Sequence, residues 1–232
     1  MRIDVWSDVV CPWCYIGKRR LEAAIRELPP RAEVEVVWHS FELDPAAPRR
    51  TEGRLAERLA ARYGMSVADA EATQARLTRL AAAEGLRFDV DRAQGGSTFD
   101  AHRLVHLGLE RGVQDAVKER LMRGYFTEGA AVGEPETLVG LAVEAGLDEA
   151  EAREVLSGDT YAGAVRQDEQ QARRLGISGV PFFVIDGRYG VSGAQPSEAL
   201  LEVMTTAWDE AHPAPVLVGG PGEACEGDAC VV

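Results

Sequence analysis

Basic residues are scarce in this 232-residue chain: 25 Lys and Arg stand against 38 Asp and Glu, a net charge of −13. Such a surface repels phosphate backbones and anionic lipid, so neither nucleic acid nor an acidic membrane is expected as a partner. Nor is there a run of about 18 consecutive apolar residues, the length a bilayer-crossing helix needs. No membrane span is expected. No basic-then-apolar leader precedes the opening Met1–Asp8, which alternates like a strand from its first residues, and the chain is expected to be cytoplasmic. Aromatics make up only 6% and cysteines number four, too few for a disulfide scaffold in a chain this long. The rest is ordinary for a globular protein, 46% hydrophobic and 27% charged, with length enough for one large core.

The first segment reads as strand, tight loop, helix: Arg2–Ser7 alternates, and Leu21, Ala24, Ile25 and Leu28 follow at i, i+3, i+4, i+7. Pro12 suits the first helical position, where a missing N–H costs nothing, and Pro29-Pro30 end the helix. Val34–Trp38, short and β-branched, predicts a second strand. From about residue 51 to 176 the pattern is helical. Ser66 to Asp69 reads as a capping box, Thr98-Phe99-Asp100 starts a helix with Val105 and Leu109 on its apolar face, and Leu138, Leu141, Ala142 and Ala145 repeat the helical spacing. A last helix covers Tyr161 to Leu175. Strands resume at Pro181–Ile185, with Asp186-Gly187 as a hairpin turn and Arg188–Val191 returning. A closing helix presents Leu200, Met204 and Trp208, and beyond His212 a Pro/Gly-rich tail ends in Cys225 and Cys230. Residues 1–50 and 177–211 thus form one discontinuous α/β domain, 51–176 a helical insertion and 212–232 a tail.

Cys11-Pro12-Trp13-Cys14 places one sulfur at a helix start and the next one turn later on the same face, near enough to close a small disulfide ring. At the helix start Cys11 meets unpaired backbone N–H groups and the positive end of the helix dipole, which favour thiolate, the nucleophile of exchange. Cys14, deeper, keeps its proton until it attacks the mixed disulfide. The expected chemistry is therefore Cys11 attacking and Cys14 resolving, with a structural zinc half-site or two unrelated buried cysteines as the alternatives. Pro181, opening a hairpin strand after Gly179-Val180, is either a cis proline turned toward the active loop or an ordinary trans proline on an edge strand.

With the long helical insertion and Gly179-Val180-Pro181-Phe182-Phe183-Val184, these residues resemble the DsbA-family thioredoxin-fold oxidoreductases. Ser40–Pro45, Thr98–Leu104 and Gly190–Pro196 resemble the FrnE-like branch, which is related to 2-hydroxychromene-2-carboxylate isomerases and kappa-class glutathione transferases. The resemblance runs to about Ala211. It implies an α/β thioredoxin fold with an all-helical insertion between an N-terminal βαβ unit and a C-terminal ββα unit. It also implies that Pro181 is cis and faces Cys11, that Val180 offers backbone groups to a substrate strand, and that His102 lines the groove over Cys11. The isomerase and transferase relatives generally carry serine where Cys11 stands, so a complete dithiol favours exchange over glutathione conjugation. Trp13 replaces the histidine of periplasmic DsbA proteins, which weakens a strongly oxidising role.

The expected function is thiol–disulfide exchange on protein or small-molecule disulfides or thiols, glutathione among them, with no metal or organic cofactor. The rivals are a glutathione-dependent isomerase or transferase acting on a small aromatic or polyketide-like substrate, and a zinc-holding or redox-sensing binding module. Trp13 reads as an exposed lip for an apolar substrate segment, whereas Trp6, Trp38 and Trp208 read as core and His39 as structural. His102 and His106, one helical turn apart, lack a third ligand at suggestive spacing. Cys225 and Cys230 admit three readings: a second exchange pair serving the first, a local disulfide, or a zinc site with Cys11 and Cys14. The exchange pair is favoured, because two thiols on an otherwise dispensable tail have little structural purpose in a reducing cell.

Overall fold

The computed structural model describes residues 1–29 and 33–213. Strand β1 (Arg2–Ser7), helix α1 (Pro12–Glu27) and strand β2 (Glu35–Ser40) form the opening unit, with β1 and β2 parallel from Arg2 opposite Glu35 to Ser7 opposite Ser40. Pro12 occupies the first turn of α1, and Cys14, Gly17, Lys18, Leu21 and Ala24 make its buried stripe. Strands β3 (Phe182–Ile185) and β4 (Tyr189–Ser192) complete a four-stranded sheet in the order β2-β1-β3-β4, β3 running antiparallel to both neighbours. Asp186 and Gly187, at φ 47° and 66°, supply the two positive φ angles that a tight two-residue hairpin turn needs.

Between β2 and β3 the chain is helical: α2 (Leu55–Tyr63), α3 (Val67–Ala83), α4 (Phe99–Glu110), α5 (Gln114–Arg123), α6 (Pro135–Glu144), α7 (Glu149–Ser157) and α8 (Ala162–Arg174). A short 3-10 turn (Val90–Arg92) and a π-helical turn (Gly124–Glu128) interrupt the series, and α9 (Ser197–Ala211) follows β4. One apolar core runs from Val5, Ile16 and Phe183 around the sheet to Leu104, Leu121 and Leu138 of the helical segment, so that segment shares the interior of the sheet. Side chains from the insertion also finish the outer edge of β2. Gln114 accepts from the Trp38 N–H at 3.0 Å and donates to the Trp38 carbonyl at 2.8 Å, and Asp168 accepts from the Ser40 N–H at 2.8 Å.

Two core assignments made from the periodicity are corrected. Leu109 is exposed: α4 approaches α5 at Gly108, where a Cβ would stand 3.0 Å from Val117, and this contact turns the next residue outward. Trp208 is half-buried and stacks on His212 with ring centroids 3.8 Å apart, because the inward face of α9 runs through Leu200, Met204 and Ala207. Trp6 and Trp38 are core residues. His39 bridges two carboxylates, Asp4 at 2.7 Å and Asp168 at 2.8 Å, while stacked on Trp6. Its partners hold its pKa above the ordinary value although burial alone would lower it.

Candidate functional site

Cys11 is the N-cap of α1, its backbone extended at φ −87° and ψ 115° and its carbonyl accepting from Cys14 N at 3.1 Å. Both cysteines are free and buried, and their sulfurs are close enough to hydrogen-bond. Burial pushes the Cys14 thiol well above its usual pKa; the neighbouring Cys11 sulfur adds to the shift and Lys118 opposes it. Trp13, between them, is 41% exposed and stands at the surface beside an otherwise enclosed pair.

The loop before β3 closes over the outer sulfur. Cys11 Sγ donates to the Val180 carbonyl at 3.6 Å, and the Val180–Pro181 peptide is cis. Among the described residues the Val180 N–H has no backbone acceptor. Pro181 is buried against α1, and what admits it there is Gly17, where a Cβ would stand 2.9 Å from the Pro181 ring and 3.3 Å from Phe183. Strand β1, the start of α1 and the loop before β3 thus bring Cys11, Cys14, Trp13, Val180 and Pro181 to one place. Cys225 and Cys230 lie outside the described residues.

His102, expected over the groove, is fully enclosed instead: α4 packs it into the interior, with Nε2 3.3 Å from Asp8 Oδ1. Burial pulls its pKa below the ordinary imidazole value, against the pull of Asp8. Asp8 is itself buried, its Oδ2 accepting from the Leu43 N–H at 2.8 Å. Burial would raise the Asp8 carboxyl, but His102, that N–H and Lys118 together hold it below the usual carboxylate range. His106 turns away, its Nε2 3.0 Å from Asp168 Oδ2 and 3.1 Å from Ser40 Oγ, and no metal-holding cluster of three such groups occurs among the described residues.

The sequence reading missed Lys118. It is fully buried in α5, donates to the Ser7 carbonyl at 3.3 Å and stands 5.8 Å from the centre of the Trp38 ring. Burial lowers its pKa from 10.5 to about 8, while Cys14, Asp8 and Cys11 act to raise it. A signal was present: Gln114, Val117, Lys118 and Leu121 share the i, i+3, i+4, i+7 face of α5, which puts a lysine where a core residue belongs. Ser7 Oγ, Asp8 Oδ1 and both ring nitrogens of His102 are buried without a hydrogen-bond partner of good geometry.

The fold that carries this dithiol has known counterparts. A crystal structure of a probable DsbA oxidoreductase from Streptomyces coelicolor is 46% identical and superposes with a TM-score of 0.86, covering 100% of this chain and 99% of that one. The cytosolic disulfide reductase DsbM from Pseudomonas aeruginosa shares the fold at 22% identity and a TM-score of 0.60, with 89% of this chain and 100% of that chain covered. The uncharacterised protein YwbO of Bacillus subtilis (strain 168) is 28% identical over 190 residues, 80% of this chain and 86% of that protein. Residues 2–205 match the DSBA-like thioredoxin domain, and the chain belongs to that family.

Proposed function

We propose that the protein is a thiol–disulfide oxidoreductase in which Cys11 attacks and Cys14 resolves. The observation that carries this reading is the placement of Cys11 Sγ at the start of α1, 3.6 Å from the Val180 carbonyl, with Cys14 one turn behind it. In the reducing direction the Cys11 thiolate attacks one sulfur of a substrate disulfide, forming a mixed disulfide and releasing the first substrate thiolate. Cys14 then gives up its proton and attacks Cys11 Sγ. A Cys11–Cys14 disulfide forms, the second substrate thiolate leaves, and two electrons have passed from protein to substrate. The leaving thiolates take up protons from water, and an external dithiol returns the protein to its starting state. Run backward, the same steps oxidise a substrate dithiol.

Each neighbour has a part in those steps. The Lys118 ammonium lowers the cost of negative charge on Cys14 as its proton leaves, Val180 offers backbone groups to an extended substrate segment, and Trp13 gives that segment an apolar lip. Protein and small-molecule disulfides, glutathione disulfide among them, are the proposed substrates. We assign Cys225 and Cys230 to a second exchange pair serving the first.

The test is trapping. With a model peptide disulfide, Cys14→Ser should accumulate a mixed disulfide at Cys11, seen by mass spectrometry of the non-reduced protein, and Cys11→Ser should form none. Turnover of a glutathione-dependent isomerisation by a fully active Cys14→Ala protein would overturn the reading.

A further inference from the structure

We propose that a cleft beside the dithiol holds a small organic thiol or disulfide that carries a carboxylate on an apolar body, with Arg58 as the partner of the carboxylate. The inference rests on the exchange chemistry proposed above and names a substrate class for it. The cleft encloses about 520 Å³ between the loop before Cys11 and α2, within the range of small-molecule sites. Val10, which immediately precedes Cys11, lines it together with Leu43, Leu55 and Leu59. These walls suit an apolar body, and Asp8 and Val10 carry the cleft to the loop that precedes Cys11, although Cys11 is not itself among the lining residues.

Arg62 at the rim is already paired with Asp44 at 2.8 Å, and Arg54 on the same helix with Glu57 and Glu71. Arg58 differs: among the described residues it has no carboxylate partner. Its Nη1 donates to the Gly53 carbonyl at 2.5 Å and its Nη2 to the Ala93 carbonyl at 3.2 Å, and its head lies against the Tyr125 hydroxyl. Two backbone carbonyls therefore hold a guanidinium in place without neutralising it, in a chain of net charge −13. Gly95, tied to Thr51 by a backbone hydrogen bond of 3.0 Å, leaves room for it, since a Cβ there would stand 2.8 Å from Arg58 Nε. Asp8, the other acid lining the cleft, also acts on the Tyr125 hydroxyl but pairs with His102 and makes no ion pair with Arg58, which leaves Arg58 to meet an anionic group.

Calorimetry on the full-length Cys11→Ser protein tests the cleft without exchange, with para-methylthiobenzoate and its uncharged amide as probes. The acid should bind at least tenfold more tightly than the amide, a difference of about 1.4 kcal/mol. Arg58→Leu should erase that preference and Arg58→Lys retain part of it. Gly95→Ala, which displaces the guanidinium while leaving its charge in the chain, should weaken it and serves if Arg58→Leu fails to fold. Equal binding of acid and amide, or a preference that survives Arg58→Leu, overturns the proposal.

A second experiment uses the reduced full-length Cys225→Ser/Cys230→Ser protein in single turnovers. Each turnover oxidises Cys11 and Cys14 to a disulfide and releases two substrate thiols. The rate-constant ratio of dithiobis(nitrobenzoate) to uncharged dithiodipyridine should fall about tenfold in Arg58→Leu; an unchanged ratio overturns the proposal. Absence of exchange with both compounds, alongside selective binding of the acid, would sink the exchange reading and leave the carboxylate site standing.

Discussion

Replacing Lys118 by methionine separates what this residue costs the fold from what it supplies to the dithiol. Its ammonium is enclosed with one hydrogen bond, 3.3 Å to the Ser7 carbonyl, and burial lowers its pKa from 10.5 to about 8. At about 1.4 kcal/mol per pKa unit, keeping the charge inside costs about 3 kcal/mol. Methionine has a similar stem and no charge. Losing the bond to Ser7 takes back about 1 kcal/mol, which leaves the variant more stable by about 2 kcal/mol. For a chain of this size that is a Tm about 4–8 °C higher at pH 7. The sign of the pH dependence follows from a lysine whose pKa is lower folded than unfolded. Below about 8 both states are protonated and the full penalty is present; between about 8 and 10.5 the folded state sheds its proton first and wild-type stability rises. The gain of the variant should therefore shrink above pH 8, vanish at about pH 9.5 and turn into a loss of about 1 kcal/mol by 10.5. Exchange should move the other way: without the cation the Cys14 thiolate is harder to form, so mixed disulfides persist longer after mixing with a peptide disulfide. Calorimetric melting at several pH values, paired with quench-flow trapping of the mixed disulfide, checks both halves. A lower Tm at pH 7, or a mixed disulfide that decays at the wild-type rate, would refute the reasoning.

Gly17→Ala should push Pro181 off α1, because the new Cβ would stand 2.9 Å from its ring; a loss of about 1–3 kcal/mol by denaturant unfolding and slower exchange are expected. Glu42 is raised to about 7 chiefly by burial, and Glu169 adds to the shift while Arg166 opposes it. A carboxyl whose pKa is raised in the folded state loses stability as pH rises from its unfolded value of 4.5 through about 7, so Glu42→Gln should melt above wild type at pH 8 and level with it at pH 4. The tail pair, Cys225 and Cys230, is expected to capture Cys11 when Cys14 is serine. A Cys11-to-tail peptide in a non-reducing digest checks this, and truncation after Ala211 should slow turnover of a protein disulfide.

What could be read from the sequence was what local chemistry writes locally. A proline between two cysteines at a strand-to-helix junction, and an Asp-Gly pair between apolar runs, each announce their geometry within a few residues. For Lys118 the helical spacing of α5 carried a signal that its residue type masked, since a lysine on a helix is by default solvated and its burial depends on how α5 packs against the sheet. His102 shows the same dependence: its motif placed it near the site, but the packing of α4 decided that it sits inside with Asp8. The start of α2 was also hidden, because Arg54 is no ordinary cap; its backbone N–H is satisfied by the Glu57 side chain at 3.0 Å. For α7 the signal was there and passed over, Asp148 accepting from Glu151 N at 3.0 Å.

The Gln114 amide on β2 has a consequence for how this protein meets others of its kind. An outer strand with free N–H and carbonyl groups invites a foreign strand to dock, and from there to aggregate. Gln114 returns both a donor and an acceptor to Trp38, the pair of bonds that an added strand would have made, and Asp168 takes the N–H of Ser40. Recruitment along β2 is thus blocked by side chains drawn from the insertion. The remaining border of the sheet is β4, only four residues long, with exposed Gly190 and Ser192 along it. A partial opening that withdrew α5 and α8 would therefore uncover the sticky border and strip Lys118 from the dithiol in the same motion.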